Sequence, residues 1–344
     1  MSRRNRQILL ASRPNCAPQL DNFALIETEI GAPQEGQFLV QTEYLSLDPY
    51  MRGRMTTVKS YVPGFEVDQP MTGGAVGEVI ESTAEGYAVG DKVMHMNGWR
   101  DEAIVDIAGG GAPTDPQKLP PLNIPIQTFL HNLGLTGATA YMGLMKTASA
   151  KPGDIVFVSA AAGAVGSAVV QIAKKKGMTV IGSAGGAAKC EWVRSLGADA
   201  CVDYKAGNLL EQLSAAAPNG IDVYFDNVGG PVLNAMLVAM KVYGRIVGCG
   251  MISDYNRTEN PNPITNLWEV VARQLTMQGF LLFTYHNQVP AAQAQLTEWI
   301  NQGKIKVIEH ITKGIANTPA AFCELMSGKT TGKALVEVDL IELT

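Results

Sequence analysis

The run Ile155-Val156-Phe157-Val158-Ser159-Ala160-Ala161-Ala162-Gly163-Ala164-Val165-Gly166 constrains this chain more than any other stretch. Residues of buried-strand character lead directly into a turn of small residues. An apolar helical pattern from Ser167 to Lys176 follows at once. Strand, tight Ala/Gly turn and helix, in that order, open a nucleotide-binding α/β unit. Small residues let a diphosphate approach the backbone with no Cβ in the way. The free N–H groups and positive end of the helix then hold the anion. The spacing Ala160-x-x-Gly163-x-x-Gly166 departs from G-x-G-x-x-G. Taken alone, it also suits a helix packed closely on a strand.

The next strand points to one nucleotide. Met178 to Ala184 reads as a strand. An NAD-binding unit ends this strand in Asp or Glu, which accepts from the ribose 2′-OH. Here Gly182-Ser183-Ala184-Gly185-Gly186 carries no acid, and Lys189 follows. A missing carboxylate beside an ammonium suits a 2′-phosphate. Outside such a unit, Lys189 reads as a solvated helix lysine. A third strand ends on Tyr204, whose ring is placed to pack on the adenine side. The expected cofactor is NADPH.

From Gly153 onward, strand-like and helix-like runs alternate, which implies a parallel sheet covered on both faces. The strand-like runs are Ile155–Ser159, Thr179–Ser183, Ala200–Val202, Val223–Asp226, Arg245–Cys249 and Thr276–Leu281, with helix Ala291–Asn301 closing the unit. That is the α/β class, a doubly wound parallel sheet, expected over residues 131–301. Residues 1–130 carry short alternating runs broken by Gly and Pro, such as Phe38–Thr42, Gly74–Ile80 and Asp91–Met94. These predict a twisted, partly closed β domain. A Pro/Gly-rich stretch from Gly109 to Pro125 leads into a helix over Thr136–Met145. Residues 302–344 hold strand Val307–Ile311, helix Pro319–Met326 and strand Ala334–Val338, and read as a return to the first domain. A ligand cleft is expected between the domains, at the sheet's carboxyl edge.

Composition narrows the function. The net charge of −5 argues against a nucleic-acid or anionic-membrane partner, which wants a basic face. Arg3, Arg4 and Arg6 read as a solvated start without the apolar region of a secretory signal. Apolar runs are too short for a membrane span. The five cysteines, Cys16, Cys190, Cys201, Cys249 and Cys323, are scattered and odd in number. They suit buried, reduced thiols in a cytoplasmic protein. The four histidines lie far apart, outside any metal-ligand spacing, so no metal is expected.

Three stretches carry a family resemblance. They are Leu45-Ser46-Leu47-Asp48-Pro49-Tyr50-Met51-Arg52-Gly53-Arg54-Met55, Tyr224-Phe225-Asp226-Asn227-Val228-Gly229-Gly230, and Cys249 to Asn256. With the domain pattern, they resemble the medium-chain dehydrogenase/reductase superfamily over nearly the whole chain. More narrowly, they are similar to its zinc-independent leukotriene B4 dehydrogenase/prostaglandin reductase branch and, among bacterial members, to the NADPH-dependent curcumin reductases. The resemblance implies a Rossmann domain and a GroES-like β domain. It implies a pyrophosphate cradle of Gly163, Ala164, Val165 and Gly166, with Lys189 and Tyr204 at the 2′-phosphate and adenosine end. It further implies cofactor contacts at Asn227, at Cys249, Gly250, Ile252, Ser253 and Tyr255, and at Phe280, Leu281 and Leu282. Where the family often has Asn before the final Gly-Lys, this chain has Lys329-Thr330-Thr331-Gly332-Lys333, leaving Thr330 with a shorter reach. The smaller Ala138 replaces a family Leu and either widens the pocket or reflects local repacking.

The expected chemistry follows from what is missing. Carbonyl reduction wants an electrophile on the C=O, commonly zinc or a Tyr/Lys pair. An alkene conjugated to a carbonyl asks for less. Hydride reaches the β-carbon, charge moves to the enolate oxygen, and hydrogen-bond donors suffice there. Tyr255 is the candidate catalytic donor, with the α-carbon proton coming from Tyr255 or water. Tyr255 also fits an ordinary loop tyrosine. Tyr50, Arg52, Tyr61, Phe283 and Tyr285 are candidate substrate-pocket residues. Arg52 fits equally a structural ion pair with Asp48, and the aromatics fit ordinary core. Asp226 reads as a strand end that caps the next helix. Cys249 lacks an activating base. The leading expectation is an NADPH-dependent enone reductase, curcumin-like substrates included. Quinone reduction and a non-catalytic NADPH sensor are the alternatives. An exposed sixth strand suggests a homodimer paired edge to edge.

Overall fold

A computed structural model describes residues 3–107, 115–121, 123–257 and 260–339. Part of the Pro/Gly-rich stretch from Gly109 lies outside the described residues. The chain divides into two compact units, Met1–Leu130 with Glu309–Thr344, and His131–Ile308.

In the first unit, β1 (Arg3–Leu10) and β2 (Phe23–Ile30) form an antiparallel hairpin. β3 (Gln37–Ser46) is followed by the short helix α1 (Tyr50–Arg54). β4 (Ala75–Ser82), β5 (Lys92–His95), β6 (Glu102–Asp106) and β7 (Gln117–Lys118) follow. Alternation places Phe38, Val40, Val79, Val93, Ala103 and Val105 in one buried cluster, as a strand's period of two requires. The expected solvated start is corrected here. The basic cluster is part of β1: Arg6 makes a forked pair with Asp101 and reaches Asp339, and Arg3 meets Glu81. Only Arg4, paired with Glu27, lies mostly in solvent.

The second unit starts with α2 (Leu135–Met142), which widens into a looser turn over Gly143–Thr147. β8 (Ile155–Val158), α3 (Ala164–Lys175), β9 (Thr179–Ala184), α4 (Ala187–Ser195), β10 (Ala200–Asp203) and α5 (Leu209–Ala216) make its first half. β11 (Ile221–Asp226), α6 (Gly230–Ala239), β12 (Met240–Gly248), α7 (Trp268–Ala272), β13 (Thr276–Gly279) and α8 (Val289–Asn301) make the second. All strand pairs are parallel, in the order β10-β9-β8-β11-β12-β13. This is the doubly wound order, with the switch point between β8 and β11. Central strands are apolar throughout because helices cover both faces: Phe157, Ile181, Tyr224, Met236 and Leu237 share one core.

The chain then returns to the first unit through β14 (Glu309–Lys313), α9 (Thr318–Met326) and β15 (Lys333–Glu337). β15 inserts between β14 and β3, giving the mixed order β14-β15-β3-β4-β5-β7 with β6 also on β3.

Candidate active site

The carboxyl ends of β8, β11 and β12 are laced together in the second unit. Asn227 Nδ2 donates to the Ser159 carbonyl at 2.8 Å, and the Asn227 N–H donates to Ser159 Oγ at 2.8 Å. The N–H groups of Cys249 and Gly250 donate to the Asp226 carbonyl at 2.8 and 3.1 Å. Those of Ile252 and Ser253 donate to the carbonyls of Asn227 and Val228, and Ser253 Oγ also donates to Val228 at 2.7 Å. Asp226 knots the edge from beneath. Its carboxylate accepts from Tyr224 Oη at 2.5 Å and from the N–H groups of Val228 and Gly229 at 2.8 Å each. Burial pushes its titration up against those donors. Asp226 thus shapes the turn before α6.

The turn after β8 has the geometry of an anion cradle. Ala160 takes a left-handed φ of 49° and redirects the chain, and Gly163 precedes the first turn of α3. The opening N–H groups of a helix have no partner within it, and its dipole makes that end positive. A Cβ on Gly166 would lie 2.2 Å from the Ala160 carbonyl oxygen, so only glycine lets α3 start this close to the turn. Ala164 and Val165 occupy the positions between.

At the end of β9, Lys189 is half-buried on the first turn of α4. Burial, and then the charge of Lys205, pull its titration down. Two cations therefore face one corner. Asp203, at the end of β10, accepts from the Gly186 and Lys205 N–H groups at 2.8 and 3.0 Å. Tyr204 is 47% exposed, and a Cβ on Gly185 would meet its hydroxyl at 2.7 Å. A corner with two ammonium groups and a capped carboxylate suits a dianion. The loop and this corner together fit a phosphorylated dinucleotide.

Tyr255 folds back over the β12 turn. Its hydroxyl accepts from the Met251 N–H at 3.4 Å and would lie 3.1 Å from a Cβ on Gly250. Cys249 is half-buried, and its thiol is pushed up to about 12, first by desolvation and then by Asp226. It is no thiolate at neutral pH. Beyond β13, Phe280 packs edge-on to Phe225 and tilted on Tyr285. Tyr285 Oη shares a 2.9 Å hydrogen bond with Thr147. Leu281 and Phe283 are exposed, while Leu282 is half-buried.

In the first unit, Thr330 is buried before β15, and Tyr61 is 57% exposed. Arg52 has no surface exposure. Its Nε donates to Cys16 O at 3.1 Å, and its Nη2 to Cys16 O and to Pro14 O. Arg52 is therefore a strut for the preceding loop, and the expected partner Asp48 is corrected. Asp48 instead takes the buried Lys333 ammonium and the Ser46 hydroxyl. Cys16 is exposed, contrary to the expected burial of all five thiols. Ser159 and Lys205 were missed by sequence reasoning. Only Lys205 had a signal, a cation directly after the expected adenosine contact.

Two stretches match described families, residues 6–110 the N-terminal domain of oxidoreductase and residues 164–298 the zinc-binding dehydrogenase. The chain is 42% identical over 341 residues to the NADPH-dependent curcumin reductase of Escherichia coli, covering 97% of each chain. The chain belongs to the medium-chain dehydrogenase/reductase superfamily. A second relative from this superfamily, the NADP(+)-dependent 2-alkenal reductase of Nicotiana tabacum, is 38% identical over 344 residues, covering 97% of each chain. CurA of Vibrio vulnificus, solved in complex with NADPH, superposes with a TM-score of 0.91 at 41% identity, over 98% of this chain and all of that one. Among the described residues, His, Cys, Asp and Glu side chains form no group of three or more that could hold a metal ion.

Proposed function

We propose that the protein reduces the C=C bond of α,β-unsaturated ketones and aldehydes with NADPH, without zinc, and that curcumin-like compounds are among its substrates. One observation carries this most: end-to-end likeness to an NADPH-dependent curcumin reductase joins a strand edge bearing two cations where an NAD enzyme needs an acid.

Bound NADPH supplies the hydride for the β-carbon. The chain's own residues supply the rest. Gly163, Ala164, Val165 and Gly166 hold the pyrophosphate with backbone N–H groups, and Lys189 and Tyr204 hold the adenosine phosphate end. Asn227, Gly250, Ile252, Ser253 and Cys249 shape the strand edge along the dinucleotide. Phe280, Leu281 and Leu282 would border the nicotinamide in the second unit, and Thr330 is a proposed cofactor contact of the first. The hydroxyl of Tyr255 donates to the developing enolate oxygen. One oriented donor of this kind is worth about 3–4 kcal/mol. The proposed substrate contacts are Phe283 and Tyr285 in the second unit and Tyr50 and Tyr61 in the first.

The test is NADPH oxidation by the purified protein with and without 4-phenyl-3-buten-2-one or curcumin, with the product identified by mass. Consumption only with the enone, yielding the saturated ketone, is expected. Turnover of quinones alone, or dinucleotide binding with no turnover, would reject the assignment.

The same reading places the enzyme in the reducing cytoplasm, with five free cysteines, and makes it a homodimer along β13. Met277 on that strand and Trp268 and Val271 beside it are exposed apolar side chains that a second copy would cover. Light scattering giving only monomer would exclude the dimer, and fractionation would test the compartment. No helix among the described residues is long and apolar enough to cross a membrane.

A further inference from the structure

Tyr255 stands in a loop, yet a donor to a developing charge has to be held to a fraction of an ångström. The loop winds through two successive turns. The Asp254 N–H donates to Met251 O at 2.8 Å, and the Arg257 N–H donates to Asp254 O at 2.9 Å. The residue just before the tyrosine fastens them. One oxygen of Asp254, Oδ1, accepts the Asn262 N–H at 2.9 Å and Asn262 Nδ2 at 2.6 Å. Bonds from an N–H to a carboxylate are roughly twice as strong as those between neutral groups. Asn262 Nδ2 also reaches Ser253 Oγ at 3.4 Å. The segment that carries Asn262 is tied in turn to α6. Asn234 Nδ2 donates to Pro263 O at 2.7 Å, and Asn234 Oδ1 accepts the Thr265 N–H at 2.8 Å. Asn266 Nδ2 donates to Asn234 O at 2.8 Å. Gly230, at the start of α6, leaves room for this. A Cβ there would lie 2.8 Å from Ser253 Oγ and 2.9 Å from Asn262 Nδ2. All of these residues belong to the second unit, as Tyr255 does.

We propose that Asp254 and Asn262 are positioning residues, a clip that holds the turn bearing Tyr255 against α6 and so fixes the donor for the enolate oxygen. This rests on the reductase assignment above and names what orients its donor. The bonds of Ile252 and Ser253 to the β11 edge fix the near side of the loop, and the clip adds a hold on the far side. The two residues have opposite chemical roles. Asp254 serves as an acceptor, so an amide oxygen in its place can take the same two N–H groups, while a methyl cannot. Asn262 serves as a donor, so an aspartate in its place removes the Nδ2–H and sets two carboxylates against each other. Without the clip the turn keeps its own backbone bonds but loses its register on α6. A displacement of about 1 Å in a reacting group can cost about a hundredfold in rate.

The experiment is a double-mutant cycle on steady-state reduction of 4-phenyl-3-buten-2-one by NADPH. It uses the full chain unaltered, Asp254→Ala, Tyr255→Phe and the pair together. Asp254→Ala is expected to lower kcat about tenfold, with the KM for NADPH within about twofold. The pair is expected to be no slower than Tyr255→Phe alone, because the clip acts through a hydroxyl already gone. Asp254→Asn, which keeps the acceptor, is expected to regain most of the loss, and Asn262→Asp to lose as much as Asp254→Ala. Losses that multiply in the pair would overturn the proposal, since a merely structural contact acts independently of the hydroxyl. Asp254→Asn as slow as Asp254→Ala, or full activity of Asp254→Ala, would overturn it too. Full activity of Tyr255→Phe would overturn it and leave the reductase assignment standing. No enone turnover by the unaltered protein would overturn both. If Asp254→Ala does not melt cooperatively, Asn262→Ala takes its place in the cycle and is read by the same criterion.

Discussion

Replacing Lys189 by alanine removes one of the two cations at the end of β9 and leaves Lys205 in place. Two unit charges about 4 Å apart interact by about 1 kcal/mol in water and about 4 kcal/mol at a protein surface of effective dielectric near 20. Lys189 is half-buried, and Lys205 still faces the corner, so the loss belongs toward the lower end. About 1.4 kcal/mol is a factor of ten in affinity. Titration of the protein with NADPH, followed by nicotinamide fluorescence or heat, is therefore expected to show a dissociation constant about tenfold weaker for Lys189→Ala. NADH has no 2′-phosphate and should bind the two proteins alike. The pH dependence has a defined sign. The ammonium is the binding form, and its titration is lowered by burial and by Lys205. NADPH affinity should therefore fall on the alkaline side before the ordinary lysine value of about 10.4 is reached, while NADH affinity stays level. Equal weakening of both dinucleotides, or of neither, would refute the charge argument. Equal weakening would mean that α4 had merely shifted.

Three further outcomes are expected. His95 is buried, its titration is lowered to about 3, and its Nε2 has no partner. An unfolded histidine near 6.5 protonates first as pH falls, so this contribution is intact above 6.5 and is lost progressively down toward 3. About 2 kcal/mol goes by pH 5, and urea melts of His95→Gln should lack that part of the acid slope; identical slopes would refute it. Gly166→Ala sets a Cβ against the backbone of Ala160, which cannot yield as a side chain would. It should cost about 1–3 kcal/mol in melts and weaken both dinucleotides, and unchanged binding would deny the cradle. Tyr255→Phe should lower kcat about a hundredfold with little change in NADPH affinity, whereas full activity would assign the proton and the oxyanion contact to water or the cofactor.

The doubly wound unit was legible because its cues are local. Ile155–Val158 and Val223–Phe225 are unbroken apolar runs, Gly163 and Gly166 mark the turn, and the missing acid after Ser183 can be read along the chain. What escaped depends on residues far apart in sequence. Arg52 and Asp48 looked like natural partners at a spacing of one helical turn, yet Asp48 pairs with Lys333 from the other end of the chain. Arg3 and Arg6 looked like a solvated tail because Glu81, Asp101 and Asp339 come next to them only once β1 is in place. The Arg54 contacts with Pro63, Phe65 and Thr72 depend on a loop conformation that no periodicity encodes.

The placement of β15 bears on how the molecule is made. Leu335, Val336 and Glu337 close the free side of β3 opposite Ser46, Leu45 and Tyr44, and Lys333 arrives with them to neutralise Asp48. During synthesis, therefore, the N-terminal sheet has an open flank and a lone buried-to-be anion until residues 333–337 leave the ribosome. All of the second unit is translated in the meantime, a wait of tens of seconds at about 5–20 residues per second. An open flank of that kind invites mispairing with neighbouring nascent chains. Truncation ahead of Lys333 should therefore reduce yield through aggregation far more than the loss of one short strand would suggest.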